Sequence, residues 1–374
     1  MGESSESPNS RNFEKFNLYS RSLNTYQIAL YPGDGIGVDV TEAAVAVLDV
    51  VSKKRGNFDL GFTRYEWGVS FHEKHGYVAP HDYLDTLRGF DAIFLGAVGW
   101  PAKLPDNITL QPLITMRQTF DQWACVRPAR TFSGVSTLLK TTESIDLVVV
   151  RENSEGEYVN NGGRFRRGFP DEFAVQTALH TRRGIERALR FGFDLARKRR
   201  KRLTMVTKSN AQRYSFTLWD DILEELTPEY ADIETDKQHI DAISMNFVRR
   251  PEFFDVVVAS NLFGDILTDL SGAITGSLGL NPSANLNPER NTPSLFEPVH
   301  GPAPDIAGKG IANPAGAILA AGMMLDWLGE GDAGLEISEA VETVLNSGAL
   351  TPDLGGGLGT EAFTSKVIEA IYSR

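Results

Sequence analysis

Cysteine is almost absent. Cys125 is the only one in 374 residues, so no intramolecular disulfide can form, and a reducing compartment suits the chain. Positive charge is in deficit: 37 Lys and Arg stand against 49 Asp and Glu, a net charge of −12, which argues against nucleic acid as a partner. No apolar run is long enough to span a bilayer, so no membrane is expected either. Residues 1–25 are polar and lack periodicity, and are expected to form a disordered tail. They have no apolar core, so they are not a secretory signal, and Glu3, Glu6 and Glu14 are out of place in a mitochondrial transit peptide. Met1-Gly2 invites a myristoylation reading, but position 6 is Glu, not Ser or Thr. The expected location is the cytoplasm.

What is present is an ordinary soluble composition, 41% hydrophobic and 23% charged, in a chain long enough for about two domains. Strand and helix signals alternate. Tyr26–Tyr31 reads as a strand, followed by a Gly-rich turn and a helix from about Val38 to Val51. Strands are expected at Asp91–Gly96, Ile145–Val150, Leu203–Val206 and Phe253–Ala259, with an alternating stretch at Phe173–Leu179. Helices are expected at Leu110–Phe120, Thr181–Arg200, Asn210–Leu226, His239–Val248 and from Asn313-Pro314 to Leu328, with two more to the end. This is an α/β pattern with a largely parallel sheet. The basic run Arg197–Arg202 reads as a solvated helix end rather than a nuclear signal.

The most informative segment is Asn261-Leu-Phe-Gly-Asp265-Ile-Leu-Thr-Asp269. On a helix, Asp265 and Asp269 share one face, one turn apart. Like charges at that spacing repel, and make sense around an oxygen-preferring cation, Mg2+ or Mn2+. The bland alternative is a solvated helix face; the strand that feeds into the pair and the flanking Ile266, Leu267 and Leu270 favour a site. Gly33-Asp-Gly-Ile-Gly37 follows a strand and opens a helix, but its spacing is not G-x-G-x-x-G, so the Rossmann fingerprint fails. Arg117, Arg127 and Arg151 stand near the ends of elements and suit a pocket for an anionic substrate, since guanidinium grips carboxylate bidentately. Lys208 ends a strand and is a candidate base; Asp241 is a candidate third metal carboxylate. The loop Glu297-Pro-Val-His300-Gly-Pro-Ala-Pro-Asp305, continuing to Asn313-Pro314, is dense in Gly, Pro and Ala, and its Asp305 suits the ribose of NAD and would repel the 2′-phosphate of NADP.

Together these segments resemble the β-decarboxylating dehydrogenases, the family of isopropylmalate, isocitrate and tartrate/D-malate dehydrogenases, from about Ile28 to Tyr372. Gly96-Ala-Val-Gly-Trp-Pro101, Phe120-Asp121-Gln122 and Arg151-Glu-Asn-Ser-Glu-Gly-Glu-Tyr158 look most like the tartrate/D-malate branch. The resemblance implies an isopropylmalate dehydrogenase-like two-domain α/β fold that is not Rossmann, with a large domain (residues 26–122 plus 276–374) and a small one (residues 123–275). It implies oxidative decarboxylation of a 2-hydroxy dicarboxylate, D-malate or tartrate, with NAD and with Mg2+ or Mn2+; a monovalent cation such as K+ is a further candidate. Arg117, Arg127 and Arg151 would hold the substrate's carboxylates, Tyr158 would be the general acid, and Lys208 of a partner subunit would help deprotonate the hydroxyl. Asp265 and Asp269, with the partner's Asp241, would bind the metal. Gly33, Gly35, Ile36 and Glu297 would lie at the nicotinamide, and His300, Gly301, Asp305, Ile306 and Asn313 at the rest of the cofactor. Shared sites imply a homodimer. One stretch departs from the branch. Where the branch typically carries Ser-Leu-Trp-Gly, this chain reads Thr109-Leu-Gln-Pro112 and is one residue shorter. Leu110, Leu113 and Ile114 are expected to line an apolar wall, which would suit a malate bearing a 3-alkyl or 3-aryl group. A silent regulatory paralogue and a phosphoryl-transfer enzyme are the competing readings; every expected catalytic position is filled, and no Walker-type motif is present.

Overall fold

A computed structural model describes residues 23–140 and 144–374. The expected N-terminal tail lies, up to residue 22, outside the described residues. In chain order the first elements are β1 (Asn24–Gly33), α1 (Ile36–Arg55), β2 (Phe58–Arg64), α2 (Val69–His75), α3 (Tyr83–Leu87), β3 (Ala92–Ala97), α4 (Asp106–Thr109), α5 (Gln111–Thr119) and β4 (Ala124–Arg130). Then come β5 (Asp146–Glu152), β6 (Gly162–Phe165), β7 (Phe173–Gln176), α6 (Arg182–Arg197), β8 (Arg202–Thr207), α7 (Ser215–Leu226), β9 (Glu234–His239), α8 (Ile240–Arg249) and β10 (Val256–Ala259). The chain closes with α9 (Asn261–Thr275), β11 (Pro282–Leu286), β12 (Ser294–Pro298), α10 (Ala315–Leu328), α11 (Gly331–Asn346) and α12 (Thr360–Tyr372). Among the described residues no helix is long and apolar enough to cross a membrane.

A ten-stranded sheet runs β2-β1-β3-β12-β11-β4-β5-β10-β8-β9. The strands β2, β1, β3 and β12 are parallel to one another, as are β5, β10, β8 and β9. Antiparallel pairs join β12 to β11, β11 to β4 and β4 to β5, so the two parallel halves run in opposite directions. The expected largely parallel mixed sheet is what forms. The middle of this sheet, where direction reverses, is where the polar residues gather.

Apolar side chains segregate into two main clusters. One joins α1, α10, α11 and α12 to Ile28, Leu30, Phe94 and Phe296; the other joins α6, α7 and α8 to the valines of β5 and β10. Strand β4 serves both: Ala124 belongs to the first and Ala129 to the second. The strand Val256–Ala259 is buried along its length, each of its valines contributing on the order of 1.5–3 kcal/mol by leaving water. It is shorter than expected, because Pro251–Phe253 forms a 3₁₀ turn instead. The expected helix forms as α6, buries one face and is capped by Thr181, whose hydroxyl accepts from the Gly184 N–H at 3.0 Å.

Other expectations need correction. The helix expected from Asn210 begins at Ser215, because Lys208–Tyr214 turns before entering it. The Phe173–Leu179 alternation yields only β7, exposed throughout and paired with β6 in a separate two-stranded ribbon. The Arg197–Arg202 run is not simply solvated: Arg199 pairs with Asp255 at 2.7 Å and Asp146 at 2.9 Å. Ile266, expected to help bury the Asp265–Asp269 pair, is 51% exposed.

Candidate active site

Side chains alternate across a strand, and directly paired residues share a face. The register therefore puts Glu297 beside Ser283, Asn285 beside Cys125, and Cys125 beside Arg151, with Arg127 two residues along on the same face. The opposite face carries Phe296, Ala284 and Ala124, which enter the first apolar cluster. One face of the central sheet is thus core, and the other is a row of buried polar groups.

Two helices cover that row. Asn261, Asp265 and Thr268 lie at i, i+4 and i+7 on α9 and turn one side toward the arginines. Arg127 donates to Thr268 Oγ1 at 2.8 Å and Ser283 Oγ at 3.2 Å, and approaches Asp265 Oδ1 at 3.3 Å. Arg151 pairs with Asp265 Oδ1, and donates to Asn261 Oδ1 from both Nε (2.9 Å) and Nη2 (2.7 Å). From α5, Arg117 meets Glu297 Oε1 at 2.7 Å, where Asn285 also donates at 2.8 Å. Tyr158 donates to Asp265 Oδ2 at 2.7 Å.

The electrostatics follow from this placement. Burial alone would raise the Asp265 carboxyl, but Arg151 and then Arg127 outweigh it and hold it below the usual aspartate range. Tyr158 is pushed up to about 12, first by burial and then by its hydrogen bond to Asp265, so it is protonated at neutral pH. Asp269 is raised by partial desolvation and by the charge of Asp265. It makes no ion pair or hydrogen bond through its side chain among the described residues.

These groups open into a cavity of about 800 Å³. Its walls include Arg117, Arg127, Arg151, Tyr158, Asp265 and Glu297 on the polar side. Leu110, Leu113 and Ile114 form the expected apolar stretch, with Gln111 and Thr115 between them. The helical break at Leu110 and the proline in the first turn of α5 set their direction. Gly96, Ala97, Val98, Val299, His300 and Gly301 supply a further wall rich in backbone.

Comparison with known proteins agrees with this architecture. The model of the isocitrate/isopropylmalate dehydrogenase family matches residues 27–371. The chain belongs to that family. A probable tartrate dehydrogenase/decarboxylase of Agrobacterium vitis is 47% identical over 93% of this chain and 98% of its own length. The D-malate dehydrogenase (decarboxylating) of Escherichia coli is 48% identical over 93% of this chain and 98% of its own. The crystal structure of isocitrate dehydrogenase from Methylococcus capsulatus superposes with a TM-score of 0.84 at 38% identity, over 92% of this chain and 99% of that one. Within the family the chain falls in the tartrate/D-malate branch, and it is a decarboxylating dehydrogenase.

For a member of this family, the remaining expected site residues lie in three places. Lys208 and Asp241 bind each other at 2.7 Å and do not line the cavity. Gly33, Gly35 and Ile36 stand behind its wall. The glycines have positive φ, and a Cβ on Gly33 or Gly35 would lie about 2 Å from the carbonyl oxygens of Ala97 and Pro302, so only glycine fits the turn. The Ile36 N–H donates to Pro302 O at 2.8 Å. Asp305 is exposed and Ile306 half-buried on the same loop. Asn313 is buried, accepts from the Ala315 N–H at 3.0 Å and donates to Asp353, so it also anchors the start of α10. Sequence reading missed Asn261, Thr268, Ser283 and Asn285 as individuals, although they hold the arginines and Glu297. Asn261 and Thr268 sit in a segment whose two aspartates stand out first; only the strand register exposes Ser283 and Asn285.

The residues present fit a divalent cation and a nicotinamide cofactor. Asp269 is an unpaired carboxylate one turn from Asp265, a repulsion that a cation relieves. His300 Nε2 is buried with no partner among the described residues, and neighbours the backbone-rich wall.

Proposed function

We propose that this enzyme oxidatively decarboxylates a 2-hydroxy dicarboxylate, D-malate or tartrate, with NAD and Mg2+ or Mn2+, as a homodimer with shared active sites. The observation that carries this reading is the convergence of Arg127, Arg151 and Tyr158 on Asp265 in one cavity, with Asp269 a turn away. The names of the relatives, a tartrate dehydrogenase/decarboxylase and a D-malate dehydrogenase, support the substrate class.

The guanidiniums of Arg117, Arg127 and Arg151 would hold the two carboxylates and orient the one that leaves. A cation between Asp265 and Asp269, with the partner subunit's Asp241, would supply Lewis acidity toward the substrate's hydroxyl oxygen. NAD+, along Gly96–Val98 and Val299–Gly301 with Gly33, Gly35, Ile36, Glu297, Asp305, Ile306 and Asn313 around it, would supply the hydride acceptor. The protonated phenol of Tyr158 would donate to the carbon that loses CO2. Lys208 of the partner subunit would take the hydroxyl proton; that this chain's own Lys208 does not line its cavity supports a second copy supplying the group. Exposed Met245 and Val248 on α8 and Ile266 on α9 support an apolar contact between copies. The division into a large and a small domain is supported by the two apolar clusters, each drawn mostly from one of them, although Trp123, Ala124, Phe132 and Val135 join the first.

A second reading is favoured by one observation. Leu110, Leu113 and Ile114 all reach the cavity, which suits a malate carrying a 3-alkyl or 3-aryl group. NADH formation with D-malate, tartrate, 3-isopropylmalate and an aryl-substituted malate, with and without Mn2+ and K+, ranks these substrates. Turnover of none of them removes the proposal.

A further inference from the structure

Arg151 is the most deeply buried arginine of the cavity, 1% exposed. One end of its guanidinium, Nη1, meets Asp265. The edge formed by Nε and Nη2 lies against Asn261 Oδ1, at 2.9 and 2.7 Å. That two-nitrogen edge is the grip that guanidinium commonly gives a carboxylate. Here a neutral amide oxygen fills it.

The arrangement is built. Asn261 is 2% exposed, and its Nδ2 donates to Glu155 O at 2.8 Å, which decides that its oxygen faces the arginine. A Cβ on Gly264 would stand 2.7 Å from Arg151 Cβ, and one on Gly156 would stand 3.0 Å from Asn261 Cβ, so both glycines make room for the pair. An aspartate has the same shape as asparagine and would offer Arg151 the same edge, although its second oxygen would face Glu155 O without a proton to donate. It would also bring a full negative charge to a guanidinium whose other end already meets Asp265. An amide satisfies two donors and adds no charge.

We infer that Asn261 is a positioning residue: it fixes the orientation of Arg151 without adding to the one carboxylate, Asp265, that Arg151 shares with Arg127, so that charge is left for a carboxylate of the substrate. This rests on the reading of Arg151 as a carboxylate holder. Arg127 is treated alike: it shares Asp265 at 3.3 Å, and its other fixed contacts are the hydroxyls of Thr268 and Ser283. Arg117 differs, since it is held by the carboxylate of Glu297.

The test compares the full-length protein with Asn261→Asp and Asn261→Ala. It reads the melting temperature, NADH formation, and D-malate binding by calorimetry with Mg2+ present. Asn261→Asp exchanges the hydrogen bond to Glu155 O for a charge pair with Arg151 and should still fold, yet raise KM and Kd for D-malate by about tenfold or more, because a new charge opposes the substrate's. Its KM for NAD should stay within about twofold, a selectivity that a purely structural role would not produce. Asn261→Ala leaves two buried donors unpaired and should lower kcat more than it raises KM. A folded Asn261→Asp protein with D-malate affinity within about twofold of the parent overturns the inference. So does an Asn261→Ala protein with unchanged kcat, the deciding result where the aspartate variant does not fold. If the parent binds D-malate but oxidises no acid of the panel, the reaction reading fails alone, and the Kd comparison still decides the clamp. If the parent binds no D-malate, both fall.

Discussion

Arginine is concentrated in two regions of this molecule, and the two handle its charge differently. Along α6 and the strand after it, Arg182, Arg190, Arg197 and Arg202 each meet a different carboxylate. Arg190 meets Glu229 at 2.7 Å, Arg197 meets Asp232 at 2.8 Å, and Arg202 meets Glu234 at 2.6 Å, all partly or largely in solvent. The carboxyls of Glu229 and Asp232 are held low by those arginines. In the cavity, Arg127 and Arg151 share the single carboxylate of Asp265, and their remaining donors go to Asn261, Thr268 and Ser283. Paired charge in water contributes little, because solvent already screens it. Under-compensated charge in a buried cleft is costly to the fold, and that cost is tolerable where a ligand will supply the missing anion.

Substitutions can break that contrast. The largest expected effect is at Asp265, the hub of the cavity. Asp265→Asn should lower kcat/KM by about 10³-fold or more, about 4 kcal/mol of transition-state stabilisation, in an NADH assay at saturating Mn2+. Retention of more than about a tenth of the activity would mean that the cation binds elsewhere.

Next is Tyr158→Phe, which removes the proton donor but keeps the ring that stands 5.2 Å from the Arg151 guanidinium. It should reduce kcat about 10²-fold with little change in KM for the acid. Equal losses in binding and turnover would instead point to a role in holding the substrate.

A smaller effect, on stability, is expected at Asp269. Its carboxyl is raised above the ordinary value of 3.8, so just above that pH the folded chain holds a proton that the unfolded chain has released. Stability contributed this way falls as pH rises from that ordinary value through the raised one, above which the penalty is complete. Asp269→Asn should therefore raise the Tm of metal-free protein at pH 7 and abolish the Tm rise produced by Mg2+. A Mg2+-dependent rise that survives the substitution would remove Asp269 from the cation site.

The smallest effect belongs to the other arginine region. Arg197→Ala breaks the exposed pair with Asp232 and should leave activity, KM and Tm within experimental error. A marked loss of activity would mean that the surface cluster communicates with the cavity.

Much of the cavity was legible in the chain itself, for local reasons. The Asp265–Asp269 pair is a helix periodicity, Pro112 marks a helix start, and the long valine run of β5 marks a buried strand. The strands β11 and β12 were not. Pro282-Ser-Ala-Asn-Leu286 and Ser294-Leu-Phe-Glu-Pro298 are short, bounded by proline and interrupted by polar residues, so no window of sequence separates them from loop. Their polar positions are buried only because β4 and β3 flank them. Asn261, Thr268, Ser283 and Asn285 escaped notice for the same reason: nothing nearby in the chain says that a buried arginine will come to them.

Much of the local order was therefore settled by the polypeptide alone: where the long helices run, which valine-rich stretches form buried strands, and which acidic and basic side chains share a helix face or end a strand. Those features depend on neighbours a few residues away. The tertiary structure alone decided that the two parallel halves of the sheet oppose each other and that β11 and β4 join them. It also decided that one face of that seam carries Glu297, Asn285, Arg127 and Arg151 while the other is core. Charge compensation is a property of groups brought together from distant segments, as Arg151 and Asn261 are, and their pairing exists only once long-range contacts have closed.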